Sequence, residues 1–325
     1  MSSETKRSYF ERLKDENKGL IESVGRGWSR FTNHKMGVLG LIILVGMISM
    51  AIFAPFLAPH PLDWTAPEKI ESSGDDGETT LGDIANAEIS HPAPPKFGEP
   101  YFAPLGTDME GHGVLSQLIY GARPALYIGF AAGLLSSLVG VPLGLISGFY
   151  GDSWVDEAIQ RVVDIMYGLP FLPLVIVLVT LRGVSTTNII IAIAVKSWLN
   201  NAIVIRGQTL SLKERSYIEA AKVAGASDNR IVFKHILPNV LPLGFVFLAQ
   251  DAAFAVITQA SLAFLGLADF TNVSWGTMLQ WVQVTGHVFD ALWWMIPPGL
   301  MITLVSAAFY FVGYSLEDVM NPHTE

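Results

Sequence analysis

The chain lacks cysteine entirely, so disulfides, thiolate metal sites and cysteine nucleophiles are excluded across its 325 residues. Charge is scarce as well. Asp, Glu, Lys and Arg make up 15% of the residues, where a soluble domain carries about 25%. Bases are the scarcer sign, 20 against 29 acids, which argues against a nucleic-acid partner. No Gly-x-x-x-x-Gly-Lys-Ser/Thr run occurs, so no ATP site is expected in this chain. The seven histidines, at positions 34, 60, 91, 112, 235, 287 and 323, show no metal-ligand spacing. No metal or cofactor is expected here, and the hydrophilic loops hold no nucleophile elbow that would suggest a membrane hydrolase.

What is abundant is apolar length. Hydrophobic residues make up 51% of the chain and the mean hydropathy is +0.42. A bilayer core of about 30 Å requires roughly 20 apolar helical residues. Six stretches answer to that: 37–58, 124–150, 165–181, 188–205 broken only by Lys196, 236–268 broken only by Asp251, and 291–316. The stretch 236–268 is too short for two crossings and reads as one span with an oblique start near Pro238 and Pro242. The first stretch exceeds the 7–15-residue core of a cleaved signal. The expectation is an all-α membrane protein with six transmembrane helices and both termini on one side.

Charge selects the side, because cytoplasmic loops near spans are enriched in Lys and Arg. Residues 1–36 carry eight such bases and the loop 206–235 carries six. Residues 59–122 hold 11 acids and two bases, a balance of −9, so the rest of the chain is neutral at 18 against 18. The expected order is a cytoplasmic amphipathic segment (1–36), span one (37–58), a long acidic extracytoplasmic loop (59–122), a transmembrane core (123–316) and a cytoplasmic tail (317–325). Within residues 5–31, Tyr9, Phe10, Leu13, Leu20, Ile21, Val24, Trp28 and Phe31 recur at helical spacing among bases. Such a segment either lies in the headgroup plane or packs on its own subunit.

The loop 206–235 is the informative stretch. Ser216–Ala224 reads as a short helix stopped by Gly225, a residue suited to a left-handed cap. Glu219, Ala220 and Ala221 give it a small face beside one acid, extended by Ala224 and Ala226. A second helix, Asp228–Ile236, is expected to end at Leu237-Pro238. Physical reasoning alone leaves two uses open: packing on its own bundle, or insertion into a groove on another protein.

Glu219-Ala220-Ala221, three residues, Gly225, then Leu237-Pro238, closely resembles the EAA signature of ABC-importer permeases. The version His235-Ile-Leu-Pro-Asn239 is similar to the dipeptide/oligopeptide branch. Further matches run along residues 28–322: Trp28-Ser-Arg-Phe31, Phe53-Ala-Pro-Phe-Leu-Ala-Pro59, Leu105-Gly-Thr-Asp108, Tyr120-Gly-Ala-Arg123, Gly148-Phe-Tyr-Gly151, Ser261-Leu-Ala-Phe-Leu-Gly-Leu267 and Ser274-Trp-Gly276. The long external loop after span one resembles the C-type subunit. The sequence departs from the family pattern at Gly111-His112-Gly113, at Ala268 and at Glu317.

The resemblance implies a type I ABC importer permease fold localised to the plasma or inner membrane. It implies a homologous permease as heterodimer partner, two cytoplasmic ATP-binding subunits holding ATP and Mg, and an extracytoplasmic solute-binding protein. It makes Glu219, Ala220, Ala221, Ala224, Gly225 and Ala226 the ATPase-coupling residues. Di- or oligopeptides are the implied cargo, with oligosaccharides or nickel as alternatives. A non-ABC secondary transporter or channel scaffold is the reading from another class, but no inverted repeat supports it.

Ionisable groups inside a membrane are costly and usually face protein or water. Lys196 and Asp251 therefore either pair between spans or line the translocation path. Arg161 and Asp164, three residues apart, are expected to pair on one helix face.

Overall fold

The computed structural model describes residues 29–66, 91–98, 101–269 and 272–320. Most of the amphipathic segment, and residues 67–90 and 99–100 of the acidic loop, therefore lie outside the described residues. Helix α1 (Lys35–Ile52) is followed by a short α2 (Ala54–Leu57) that begins at the Phe53-Ala-Pro turn. A hairpin of β1 (Lys96–Gly98) and β2 (Tyr101–Ala103) precedes α3 (Val114–Tyr120) and α4 (Ala122–Phe149). Next come α5 (Trp154–Tyr167), α6 (Phe171–Arg182), α7 (Thr186–Lys213), α8 (Ser216–Val223) and α9 (Asp228–Ile231). A π-helical turn (Val232–Ile236) leads into α10 (Leu237–Phe264), and α11 (Trp275–Val284) and α12 (Leu292–Met320) finish the order.

Among the described residues, five helical stretches are long and apolar enough to cross a membrane, and a sixth crossing exists if α5 and α6 count as one bent span. Here the sequence expectation needs correction. Residues 165–181 are not a straight helix: α5 and α6 meet at 93° across Gly168-Leu169-Pro170. The proline supplies no backbone N–H and disfavours helical geometry at Leu169, so the helix ends before it.

The direction of the neighbouring helices shows what the bent pair accomplishes. Along α4, Ile128 packs with Ile189 of α7. Further on, a Cβ at Gly140, Gly144 or Gly148 would lie 2.6 Å from Trp198 O, 2.5 Å from Ala202 O and 2.7 Å from Arg206 O respectively. Rising numbers on α4 meet rising numbers on α7, so the two helices run parallel. Between them the chain must travel back, and α5 and α6 are the only elements available. Val175 and Val179 of α6 pack beside Ile128 and Ile189 at the far end of that return.

The glycines of this seam sit four residues apart, the small-xxx-small spacing that lets membrane helices approach closely. On another face of α4, Gly129 and Gly133 admit α10, with would-be Cβ contacts of 2.8 Å to Val256 and 2.6 Å to Leu248 O. α12 packs on α10 and α1, and α1 turns Leu39, Ile42, Val45, Ile48 and Ile52 outward. In water such a face would be a liability; in lipid it is the expected surface.

The loop side holds a second correction. The helix beginning at Asp228 does not stop at Leu237-Pro238 but runs through to Phe264. The π turn carries it past Pro238, whose ring would clash with the carbonyl four residues back in an α-helix. Leu237 N donates to Val232 O across the widened turn, and Asn239 Nδ2 donates to His235 O at 2.6 Å.

At the opposite end, the Leu105-Gly-Thr-Asp108 motif ties together the lobe between α2 and α3. Thr107 exchanges backbone and side-chain bonds with Ala93, at 2.9 and 3.0 Å. Asp108 accepts from Glu110 N, His112 N and Gln117 Nε2, the last on α3. His112, at the family departure, places Nδ1 3.4 Å from the Asp108 carboxylate. Ser274 caps α11 in a capping box, and Trp275 Nε1 donates to Leu118 O at 2.8 Å. These motifs are joints between elements.

Candidate functional site

Helix α8 ends in a Schellman arrangement. Ala226 N donates to Ala221 O at 3.0 Å and Gly225 N to Lys222 O at 2.9 Å, with Gly225 at φ +84°. A Cβ on Gly225 would meet nothing within 4 Å. Glycine is needed here for its left-handed backbone, not for space. The signature spacing thus has a physical content: Ala221 supplies the acceptor carbonyl, Gly225 the turn, and Ala226 the returning donor.

One side chain holds α8 down. Ile218 is fully buried among Leu212, Ile231, Ile236 and Val240. Glu219, Ala220, Ala224 and Gly225 are exposed, while Ala221 and Ala226 are half-buried. Two exposed apolar residues on the same helix escaped the sequence reading, Tyr217 and Val223, the latter 91% exposed. The result is a short helix with a small apolar surface facing away from its own bundle.

Beneath the loop, three helices are locked by a charge pair that sequence reasoning also missed. Asp156 of α5 is 4% exposed. It accepts from Arg206 of α7 at both oxygens, Nε at 2.8 Å and Nη2 at 2.7 Å. Ser147 of α4 donates to Asp156 Oδ1, and Gln160 Nε2 donates to Ser147 Oγ at 3.0 Å. Fifty residues separate the partners, so no local pattern reveals them.

Arg161 and Asp164 do not pair. Arg161 Nη2 instead lies 3.3 Å from Glu157 Oε1, one turn earlier on α5, with both side chains well exposed. The i, i+4 neighbour lies directly above Arg161 on the same stripe. Asp164 lines the same cleft as Arg161, together with Asp152, Glu157 and Arg206, without an ion pair between the two.

Lys196 and Asp251 are brought to one cavity of about 210 Å³, lined also by Tyr167, Phe171, Asn200 and Phe254. They form no ion pair with each other among the described residues. Lys196 Nζ donates to Met166 O and Leu169 O, the carbonyls at the α5–α6 break. Asp251 accepts from Asn201 Nδ2 at 2.7 Å. The pairing expectation fails because Lys196 is taken up by carbonyls that the helix break leaves without intrahelical donors, and Asp251 by Asn201. Lys196 serves that break and still faces the cavity.

Residues 140–325 match the model for the binding-protein-dependent transport system inner membrane component. The chain belongs to that family. Residues 24–73 of this permease also match the N-terminal transmembrane domain of oligopeptide transport permease C. The permease is 33% identical over 322 residues to the Escherichia coli K12 oligopeptide transport system permease protein OppC, covering 99% of this chain and 97% of the relative. It is 31% identical over 297 residues to the Bacillus subtilis dipeptide transport system permease protein DppC, covering 91% and 84%. Among solved structures, the MetNI methionine ABC transporter in inward-facing conformations shares its fold. The TM-score is 0.50 at 18% identity, covering 64% of this chain and 97% of that one. The permease is therefore a multi-pass inner-membrane protein with an ABC importer fold, and its relatives are permease subunits rather than ATPases.

Proposed function

We propose that this permease is the C-type subunit of an ATP-driven importer of di- and oligopeptides, and that α8 is the element through which ATP hydrolysis moves it. The observation that carries the reading is the projecting, Schellman-terminated α8, anchored by Ile218 alone, in a chain whose relatives are named for dipeptide and oligopeptide transport. Those names favour peptides over oligosaccharides or nickel, and family membership displaces the secondary-transporter reading.

In this proposal the α5–α6 pair is the third of six spans, which places both termini in the cytoplasm with the 206–235 loop. The parallel run of α4 and α7 and the six bases of that loop support it. A homologous permease completes the path, two ATPases holding ATP and Mg grip the paired coupling helices, and a binding protein delivers cargo outside. Alternating access requires two membrane states that hold the docked helix differently. Glu219, Ala220, Ala221, Ala224, Gly225 and Ala226 form the docking face, and Lys196 and Asp251 border the peptide route.

The test is the assembled importer in proteoliposomes with ATP supplied to the ATPase side. Wild type accumulates a labelled tripeptide only when the binding protein is present, and peptide-loaded binding protein stimulates ATP hydrolysis. Gly225→Arg leaves assembly intact and abolishes the stimulation. Uptake of nickel or an oligosaccharide in place of peptide overturns the cargo reading; wild-type stimulation in the variant overturns the coupling reading.

A further inference from the structure

Where the π turn widens the helix, α4 and the chain leading into α10 separate and leave an open groove of about 390 Å³. Val141, Leu145, Ile146, Phe149, Val232 and Phe233 line it, and Asn229 and Tyr150 stand among the lining residues. Ile146 and Phe233 are exposed, Phe233 by 66%. The groove reaches from the loop end of α4 about two turns into the span. No chain segment among the described residues fills it.

One base is placed at its rim, and two more, with the acid Asp228, adjoin lining residues in sequence. Lys213 Nζ sits 5.8 Å from the centre of the Phe149 ring, directly beside the apolar lining. Arg230 and Lys234 follow the lining residues Asn229 and Phe233 on the same helical path, and both are exposed. The whole loop 206–235 carries six bases against three acids, Glu214, Glu219 and Asp228. A narrow apolar slot opening at the membrane boundary under several bases matches one molecule in both halves: an acyl chain below and an anionic phosphate above. A soluble polypeptide would match the rim but not a slot that continues into the hydrocarbon region.

We infer that this groove binds one anionic phospholipid from the leaflet on the loop's side, its acyl chain against Ile146 and Phe233 and its phosphate held by Lys213, Arg230 and Lys234. The site adjoins α8, α9 and the π turn, so lipid headgroup identity bears on the element proposed to couple ATP hydrolysis. The inference needs only that the chain is membrane-embedded, which family membership shows, and stands independently of cargo and sidedness.

The experiment places the photo-crosslinking residue p-benzoylphenylalanine at Ile146 in the complete importer, held in nanodiscs of equal phosphatidylcholine and phosphatidylglycerol. The expected product is a single phospholipid adduct by intact mass. Phosphatidylglycerol is favoured on the order of a hundredfold, the scale that three bases near a membrane surface contribute. Lys213→Gln with Lys234→Gln retains the adduct and loses the headgroup preference. A crosslink to the partner permease or an ATPase, or no adduct, overturns the site. Equal labelling by both lipids, or an undiminished preference in the double variant, overturns the anionic assignment. If the double variant fails to assemble, the adduct mass and preference in the parent complex still decide.

Discussion

Replacing Arg206 with Met isolates the junction between α4, α5 and α7. The change keeps most of the aliphatic volume and removes the guanidinium that Asp156 meets at 2.8 and 2.7 Å. Asp156 is left buried with only Ser147 Oγ and Asp152 N as donors. Breaking a buried pair from one side costs about 3–5 kcal/mol, because the remaining charge is uncompensated. Arg206 keeps 29% of its side chain exposed, and those two donors persist. The expectation therefore lies near the lower end, about 3 kcal/mol. For a chain of this size that corresponds to a melting temperature lower by roughly 5–10 °C. The assay is thermal unfolding of the purified importer, followed by the monodisperse fraction after heating. The same reasoning makes a second demand: Asp156→Leu combined with Arg206→Met removes both charges and recovers most of the loss, since apolar replacement of a whole pair is often neutral. A single variant within about 1 °C of wild type refutes the junction's weight. A double variant no better than the single refutes the uncompensated-charge explanation.

Other expectations are separable. Gly144→Ala forces a methyl to within 2.5 Å of Ala202 O, where only backbone movement relieves it. It lowers the melting temperature or blocks assembly, overpacking of this kind costing about 1–3 kcal/mol or more; a well-assembled, unshifted complex contradicts the seam. Lys196→Met strips donors from the Met166 and Leu169 carbonyls. The two carbonyls are only partly covered, Leu169 being 41% exposed, so each lost hydrogen bond costs about 0.5–1.5 kcal/mol; the complex melts at a lower temperature, and an unshifted melting temperature counts against the capping role. Asp251→Asn preserves a hydrogen-bonding partner for Asn201 while removing the charge. Peptide uptake falls several-fold in a complex of normal stability, and undiminished uptake removes Asp251 from the path.

What the sequence made legible was whatever repeats along the chain. Apolar length located the long apolar helices: 188–205 lies inside α7, and 291–316 nearly coincides with α12. The Gly225 stop was legible because a left-handed cap has a local cause. The close approach of α4 to α7 was written in Gly140, Gly144 and Gly148, a spacing visible without any structure but easily passed over as general glycine richness. What stayed hidden depends on distance in sequence. Nothing near Asp156 announces Arg206, and nothing near Lys196 announces the carbonyls of Met166 and Leu169. The bend at Gly168–Pro170 was signalled by its proline, yet the continuous apolar run across it read as one straight span. At Leu237-Pro238 the same residue type misled in the other direction, because a π turn absorbed the missing donor and the helix continued.

Three observations converge on α7. Its last turn leads through Glu214 and Arg215 into α8, so displacement of α8 acts at once on the end of α7. Arg206 fixes the start of α5, and Lys196 holds the break at the end of α5. Those two positions are ten residues apart, about 15 Å along one helix axis. Backbone contact with α4 along the glycine seam, without flexible side chains between, leaves α7 little freedom to bend in isolation. Under the proposed coupling, a pull on α8 would reach both ends of α5, through Arg206 at its start and Lys196 at the break. Lys196 occupies that break and faces the cavity that holds Asp251. Under that coupling, movement imposed from the loop end would reach the cavity through Lys196, one of its lining residues.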